Sequence, residues 1–188
     1  MSWYELLLYV HVASAVVWVG GNFAAQFFAL RALRAADPRR LAEFAADIEW
    51  IGARVFVPAS LAAFGSGVWL VADAAFWGFG DDWIVIALVL FAITFLTGAF
   101  FFGPESGRIS KLVADEGPSS PRAQARIRRI LALTRADLVL LFLLVFDMVV
   151  KPSFDNAWLY VALGVGAAAA VLLVVKGMKA RPAAAPAG

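Results

Sequence analysis

Five stretches of this chain are apolar for about the length a helix needs to cross a bilayer, roughly 20 residues. They are Trp3–Leu30, Val55–Ala75, Trp83–Phe102, Leu131–Val150 and Ala157–Val175. Lipid offers no hydrogen bonds, so such a run must satisfy its backbone internally and is predicted to be helical. The rest of the composition agrees: 63% of the chain is hydrophobic, its mean hydropathy is +0.82 and 16% is charged, against about a quarter charged in a soluble domain. The fourth stretch is the weakest. Asp147 lies within it, and it spans if Arg135 and Lys151 snorkel to the two interfaces. The first has no basic residues ahead of it and outlasts a signal-peptide core, so it reads as a retained span. The expected fold is an all-α polytopic transmembrane helical bundle of five spans, one domain over residues 1–179, followed by a disordered Ala/Pro tail over 180–188.

The connections orient the bundle. Arg31, Arg34, Arg39, Arg40 and Arg54 fall between the first two spans. Arg108, Lys111, Arg122, Arg126, Arg128, Arg129 and Arg135 fall between the third and fourth, and Lys176, Lys179 and Arg181 follow the fifth. Only Lys151 of the 16 basic residues is left for the other side, where Asp73, Asp81, Asp82 and Asp155 also lie. The positive-inside rule then puts the N-terminus outside and the C-terminus inside. Trp3, Tyr4, Trp77, Trp83 and Trp158 fall at outer ends and Trp50 near an inner one, as an aromatic belt would place them.

Two connections on the inner side are themselves predicted to be helical. Asp37-Pro38 reads as an N-cap followed by proline in the first turn. Leu41, Phe44, Ile48, Ile51 and Val55 then recur at helical spacing, giving an amphipathic helix at the inner surface that runs into the second span, with Pro58 as a kink. Ser120-Pro121 starts a basic helix, Arg122–Arg135, that feeds the fourth span. Its Arg126, Arg128 and Arg129 suit anionic lipid headgroups. Nucleic acid is a poor partner for this patch, which adjoins a span and has no interleaved aromatics. Gly20-Gly21, Gly65, Gly67, Gly164 and Gly166 are candidates for close helix approach.

The residues able to do chemistry are few. There is no cysteine, so disulfides and thiolate metal sites are excluded, and there is one histidine and three methionines, Met1, Met148 and Met178. That histidine, His11, opens a polar stripe: with Tyr4 before it and Ser14, Trp18, Asn22 and Gln26 after it, the steps of three and four trace one helix face. Such a stripe must face protein or water. His11 lies about 12 Å inward from the start of the first span. Glu5 and Asp73 mark outer ends, and Asp147 and Lys151, spaced i, i+4 with the acid first, are expected to form an ion pair that lowers the cost of a short span or to serve ligand binding or proton movement. One histidine cannot supply the three or four ligands of a zinc or copper site. Haem needs one or two axial ligands, and His11 could act alone, with Met148, with Lys151, or with a second protomer.

The run His11-Val-Ala-Ser-Ala-Val-Val-Trp18-Val-Gly20-Gly21 resembles the first-helix motif, His then Trp-x-Gly-Gly, of the copper-resistance CopD family and of HemJ-type protoporphyrinogen oxidases. With Met148-Val-Val-Lys151-Pro152 closing the fourth span, most of the chain is similar to a family of predicted bacterial integral membrane proteins, domain of unknown function 2269. The HemJ likeness implies haem b binding by His11. The CopD likeness implies copper handling, for which this chain lacks the further His and Met residues. The family likeness implies a multi-pass protein of the bacterial cytoplasmic membrane.

The leading expectation is a haem-binding or redox-linked membrane protein. His11 would bind metal only as a haem axial ligand, Trp18, Asn22, Met148 and Lys151 would line the cofactor, and Asp147 and Lys151 would relay or neutralise charge. The alternatives are a small-solute or ion transporter using the same polar stripe, and a non-catalytic accessory subunit. Either could act as a homo-oligomer or with a membrane partner.

Overall fold

A computed structural model describes residues 2–179, with side chains through residue 176. The expected tail over 180–188 lies outside the described residues. Those described form five long helices and no strand: α1 Trp3–Arg34, α2 Pro38–Ala72, α3 Asp82–Glu116, α4 Pro121–Val150 and α5 Ala157–Lys179. Local chemistry sets their starts. Ser2 and Glu5 form a reciprocal capping box at α1, which gives Glu5 a structural task. Asp37 caps α2 through Arg39 N at 2.9 Å, and Ser120 caps α4 through Ala123 N at 3.4 Å, each with proline in the first turn. Gly117, at φ 86°, ends α3 in a conformation that strongly favours glycine.

By length and apolar content α1, α2, α3 and α5 can each cross a membrane. α4 is more polar, because Arg135 interrupts its middle and Asp137 and Asp147 its second half. It packs one face against α5 and α3 and leaves Phe142, Val145, Phe146 and Val149 of the other exposed. Helices of 32 and 35 residues are about 50 Å long, well beyond a hydrocarbon core of about 30 Å. The excess is stacked as a second layer. The first core joins Trp18 and Val19 of α1, Ile86, Ala87 and Leu90 of α3, Leu141 and Leu144 of α4, and Leu159 of α5. The second joins Ala29 of α1, Leu41 and Ala42 of α2, Ile109 of α3, and Ile127, Ile130 and Leu131 of α4.

This second layer corrects the expected placing of the amphipathic segment. Residues 38–51 are helical and amphipathic, but Leu41 is 2% exposed and Phe44 packs beside it. Their apolar face is covered by the neighbouring helices rather than by lipid. The basic segment after Ser120 is likewise the first half of α4, with Ile127 and Ile130 buried in the same core. Arg126 spends its charge on Glu105, at 2.8 Å, and Arg108 lies 3.5 Å from the same carboxylate. Ser110 also hydrogen-bonds Glu49 across α3 and α2.

Three of the helices contain one wide turn each, at Val16–Gly20, Gly52–Phe56 and Gly98–Phe102. Two have a covalent cause. Pro58 and Pro104 each come two residues after such a turn. A proline removes one backbone bond and crowds the carbonyl four residues back, and a π-type turn relieves both. Pro58 therefore brings about the irregularity in α2 just before itself. The turn at Val16–Gly20 has no proline. Gly21 lies beside it, and a methyl group there would stand 2.5 Å from the Phe56 ring. Close approach of that ring to the α1 backbone accompanies the distortion.

Candidate functional site

His11 faces α2. Its Nδ1 is 2.7 Å from the carbonyl oxygen of Ala63. A carbonyl can only accept, so Nδ1 carries the proton and donates, leaving the Nε2 lone pair free in the neutral ring. The ring fits because position 67 is glycine: a Cβ there would lie 2.9 Å from Cε1 of His11. Ala63 and Gly67, one turn apart, thus form a notch for the imidazole. Ser66 Oγ donates to Ala62 O at 2.5 Å and approaches Ala63 O at 3.2 Å, on the same turn of α2.

The rest of the stripe turns elsewhere. Trp18, 8% exposed, lies in the first core with its ring edge-on to Phe91 at 5.6 Å. Asn22 Nδ2 donates 2.8 Å to Trp18 O within the wide turn. Gln26 Nε2 donates to Thr134 Oγ1 of α4 at 3.3 Å. A π-type turn adds a residue and rotates the rest of the helix by about 100° relative to an unbroken one. His11 therefore faces α2, whereas Gln26 reaches α4. The expectation of one continuous functional face assumed 3.6 residues per turn throughout, and Val16–Gly20 breaks that assumption.

Asp147 is 1% exposed, and neither carboxylate oxygen has a hydrogen-bond partner. It lies three residues beyond Leu144, so it shares the α4 face that carries Leu141 and Leu144 into the first core. The expected Asp147–Lys151 ion pair is not formed. Pro152 disfavours a right-handed helical conformation at the residue before it. Lys151 instead adopts the left-handed one, φ 49° and ψ 58°, at a cost of about 1–2 kcal/mol for a residue with a Cβ. That turn carries its ammonium over Trp77, 4.2 Å from the ring centroid, and to 5.0 Å from that of Trp83.

A second acid, absent from the residues singled out by sequence, is Asp137. It lies three residues after Thr134 on the same α4 face, and its Oδ1 is buried without a partner, as is Oε1 of Gln26. The signal was available: Asp137 lies inside the weakest span, beside Arg135. Asp137 and Asp147 are ten residues apart, about 15 Å along α4, with Leu141 (0% exposed) and Leu144 between them.

A haem site is only half supplied. His11 has the tautomer of an axial ligand, whose other nitrogen is held by a carbonyl. Yet its ring fills a notch rather than bordering a slot. Met148 packs against the first core, and Lys151 is engaged by tryptophans. Two shallow, open depressions lie elsewhere: one near the C-terminal end of α2, lined by Gly65, Trp69 and Asp73, the other at the α1–α2 bend, lined by Phe28, Arg31 and Arg40. Among the described residues no cluster of three or more His, Cys, Asp or Glu side chains could hold a metal ion.

Residues 5–152, from the first turn of α1 to the Lys151-Pro152 break after α4, match a family described as predicted integral membrane protein (DUF2269). The chain belongs to that family. The DUF2269 match takes in His11, Asp137, Asp147 and Lys151 and stops before α5. No curated protein and no solved structure matches the chain.

Proposed function

We propose that this DUF2269 protein is an ion-coupled transporter of the cytoplasmic membrane, in which Asp147 binds and releases a proton or small monovalent cation. The observation that carries the reading is the Asp147 carboxyl group, 1% exposed with both oxygens unpartnered. A carboxyl group in that setting holds a proton or a cation, since an unpaired buried charge is costly by several kcal/mol. Asp137, three residues after the Thr134 that Gln26 reaches, supplies a second station near the other layer. Leu141, Leu144 and Trp18 separate the two as an apolar barrier, so passage between them requires the helices to shift. The wide turn around Trp18 is where α1 is least regular and most able to flex.

The same reading takes the chain across the membrane five times, N-terminus outside. The support is charge: the layer with the second core carries nearly all the arginines, whereas the opposite ends carry Lys151 with Asp81, Asp82 and Asp155. The test is flux. In proteoliposomes loaded with a pH-sensitive dye, an imposed potential should drive proton movement that Asp147→Asn lowers at least about tenfold. Equal rates for the two proteins end the proposal.

A second reading, haem b bound by His11, is favoured by the free Nε2 lone pair. It calls for a porphyrin slot completed by another copy of the chain or by separation of α1 from α2. A Soret band that is lost in His11→Ala supports it. Protein from haem-replete cells without such a band rules it out.

A further inference from the structure

We infer that Trp77 and Trp83 form an outward-facing binding site for organic ammonium groups, and that Lys151 is its resident, displaceable occupant. Four observations converge at this end of the bundle. The rings meet edge to face, centroids 5.4 Å apart at 89°, and so offer two walls to a cation. The Lys151 ammonium lies against both, at 4.2 and 5.0 Å, within the range of cation–π attraction. It reaches them only through a left-handed backbone conformation. The indole Nε1 of Trp83 is buried without a hydrogen-bond partner, a donor left unsatisfied while Lys151 occupies the site.

The setting suits a cation that arrives from outside. Trp77 is 43% exposed. The nearby acids Asp81 and Asp82 begin α3, and the Asp82 carboxylate takes the backbone N–H of Phe154 at 2.7 Å. Phe154 O in turn accepts from the Tyr160 hydroxyl at 2.8 Å, so the loop that carries Lys151 is tied to both α3 and α5. Trp83 is fixed in the first turn of α3 and the loop backbone is anchored, so the lysine leaves by rotation of its flexible stem. The ligand chemistry is a primary or quaternary ammonium, from a free amine or from an ethanolamine lipid headgroup. This site stands whether or not Asp147 carries ions.

A tethered occupant weakens any free ligand by the inverse of the fraction of time it leaves the site open. If Lys151 fills it about nine-tenths of the time, Lys151→Met should bind tetramethylammonium about tenfold more tightly than the unmodified protein. Calorimetry on full-length protein in detergent reads this directly. Trp77→Leu in the Lys151→Met background should abolish the binding, and Trp77→Phe, which keeps an aromatic face, should retain part of it. Repeating the titration in phosphatidylglycerol nanodiscs, with and without phosphatidylethanolamine, separates the two sources. Competition from phosphatidylethanolamine identifies the lipid headgroup, and undiminished binding identifies a free amine. Equal affinity in Lys151→Met and unmodified protein, or binding that survives Trp77→Leu, overturns the inference.

Discussion

Replacing Gly67 by alanine gives a direct reading of the α1–α2 contact. The added methyl group would stand 2.9 Å from Cε1 and 3.1 Å from Nδ1 of His11, closer than such atoms pack. The imidazole cannot yield freely, because Nδ1 is bonded to Ala63 O at 2.7 Å. Either that bond is lost and a part-buried donor is left unpaired, at about 1–3 kcal/mol, or the helices part, with an overpacking penalty of about 1–3 kcal/mol. Alanine also has a higher helix propensity than glycine by about 0.8–1.0 kcal/mol. The net expectation is a loss of about 1 kcal/mol in the unmodified protein. In a His11→Ala background the obstacle is gone and only the propensity remains, so the same substitution should stabilise by roughly 0.5–1 kcal/mol. The sign should therefore reverse with the residue at position 11. Reversible unfolding of the four proteins of this cycle in mixed detergent micelles measures it. Additive effects, with no reversal, would show that the imidazole does not occupy the Gly67 notch.

Three other substitutions have outcomes fixed by the same structure. Asp147→Leu, which removes a buried carboxyl group lacking partners, should raise the melting temperature while abolishing proton flux, the usual opposition between stability and function at a working site; a lower melting temperature counts against the burial described. Glu105→Gln should destabilise the second layer by about 1 kcal/mol, since Glu105 is 14% exposed and pairs with Arg126 and Arg108, more than an exposed pair gives; the loss should shrink in high salt, and chemical unfolding at two ionic strengths checks it. Ser120→Ala should cost about 1 kcal/mol by uncapping α4, read as earlier deuterium exchange at residues 122–124.

The sequence made the five helices legible because each carries its own signals: a long apolar run, a Ser or Asp cap, a proline in the first turn. Ser2 with Glu5, Asp37-Pro38 and Ser120-Pro121 act locally, so no tertiary information was needed. The second layer was hidden for the opposite reason. Leu41, Phe44 and Ile48 at helical spacing demand an apolar neighbour, and periodicity does not say whether that neighbour is lipid or Ile109 and Ile127. The stripe from His11 to Gln26 misled because a wide turn without proline leaves no mark in sequence, whereas Pro58 announced its own and Pro104 could have done so. The Asp147–Lys151 pair failed on a signal that was present, since Pro152 bars Lys151 from extending the helix. Asp137 was equally visible and needed only a census of charges inside the weakest span.

The polarity of α4 has a consequence for how the chain is made. With Arg135 at its middle and Asp137 and Asp147 beyond, α4 is the least suited of the five helices to meet lipid alone. The link from Lys151 to Asn156 is short, and the apolar α5 emerges straight after it. The two are thus suited to be released together as a hairpin against an already settled α3, so that the acids meet protein before they meet hydrocarbon. The last helix, outside the stretch shared with the family, would then serve as the escort that lets a charged segment settle in an oily surrounding.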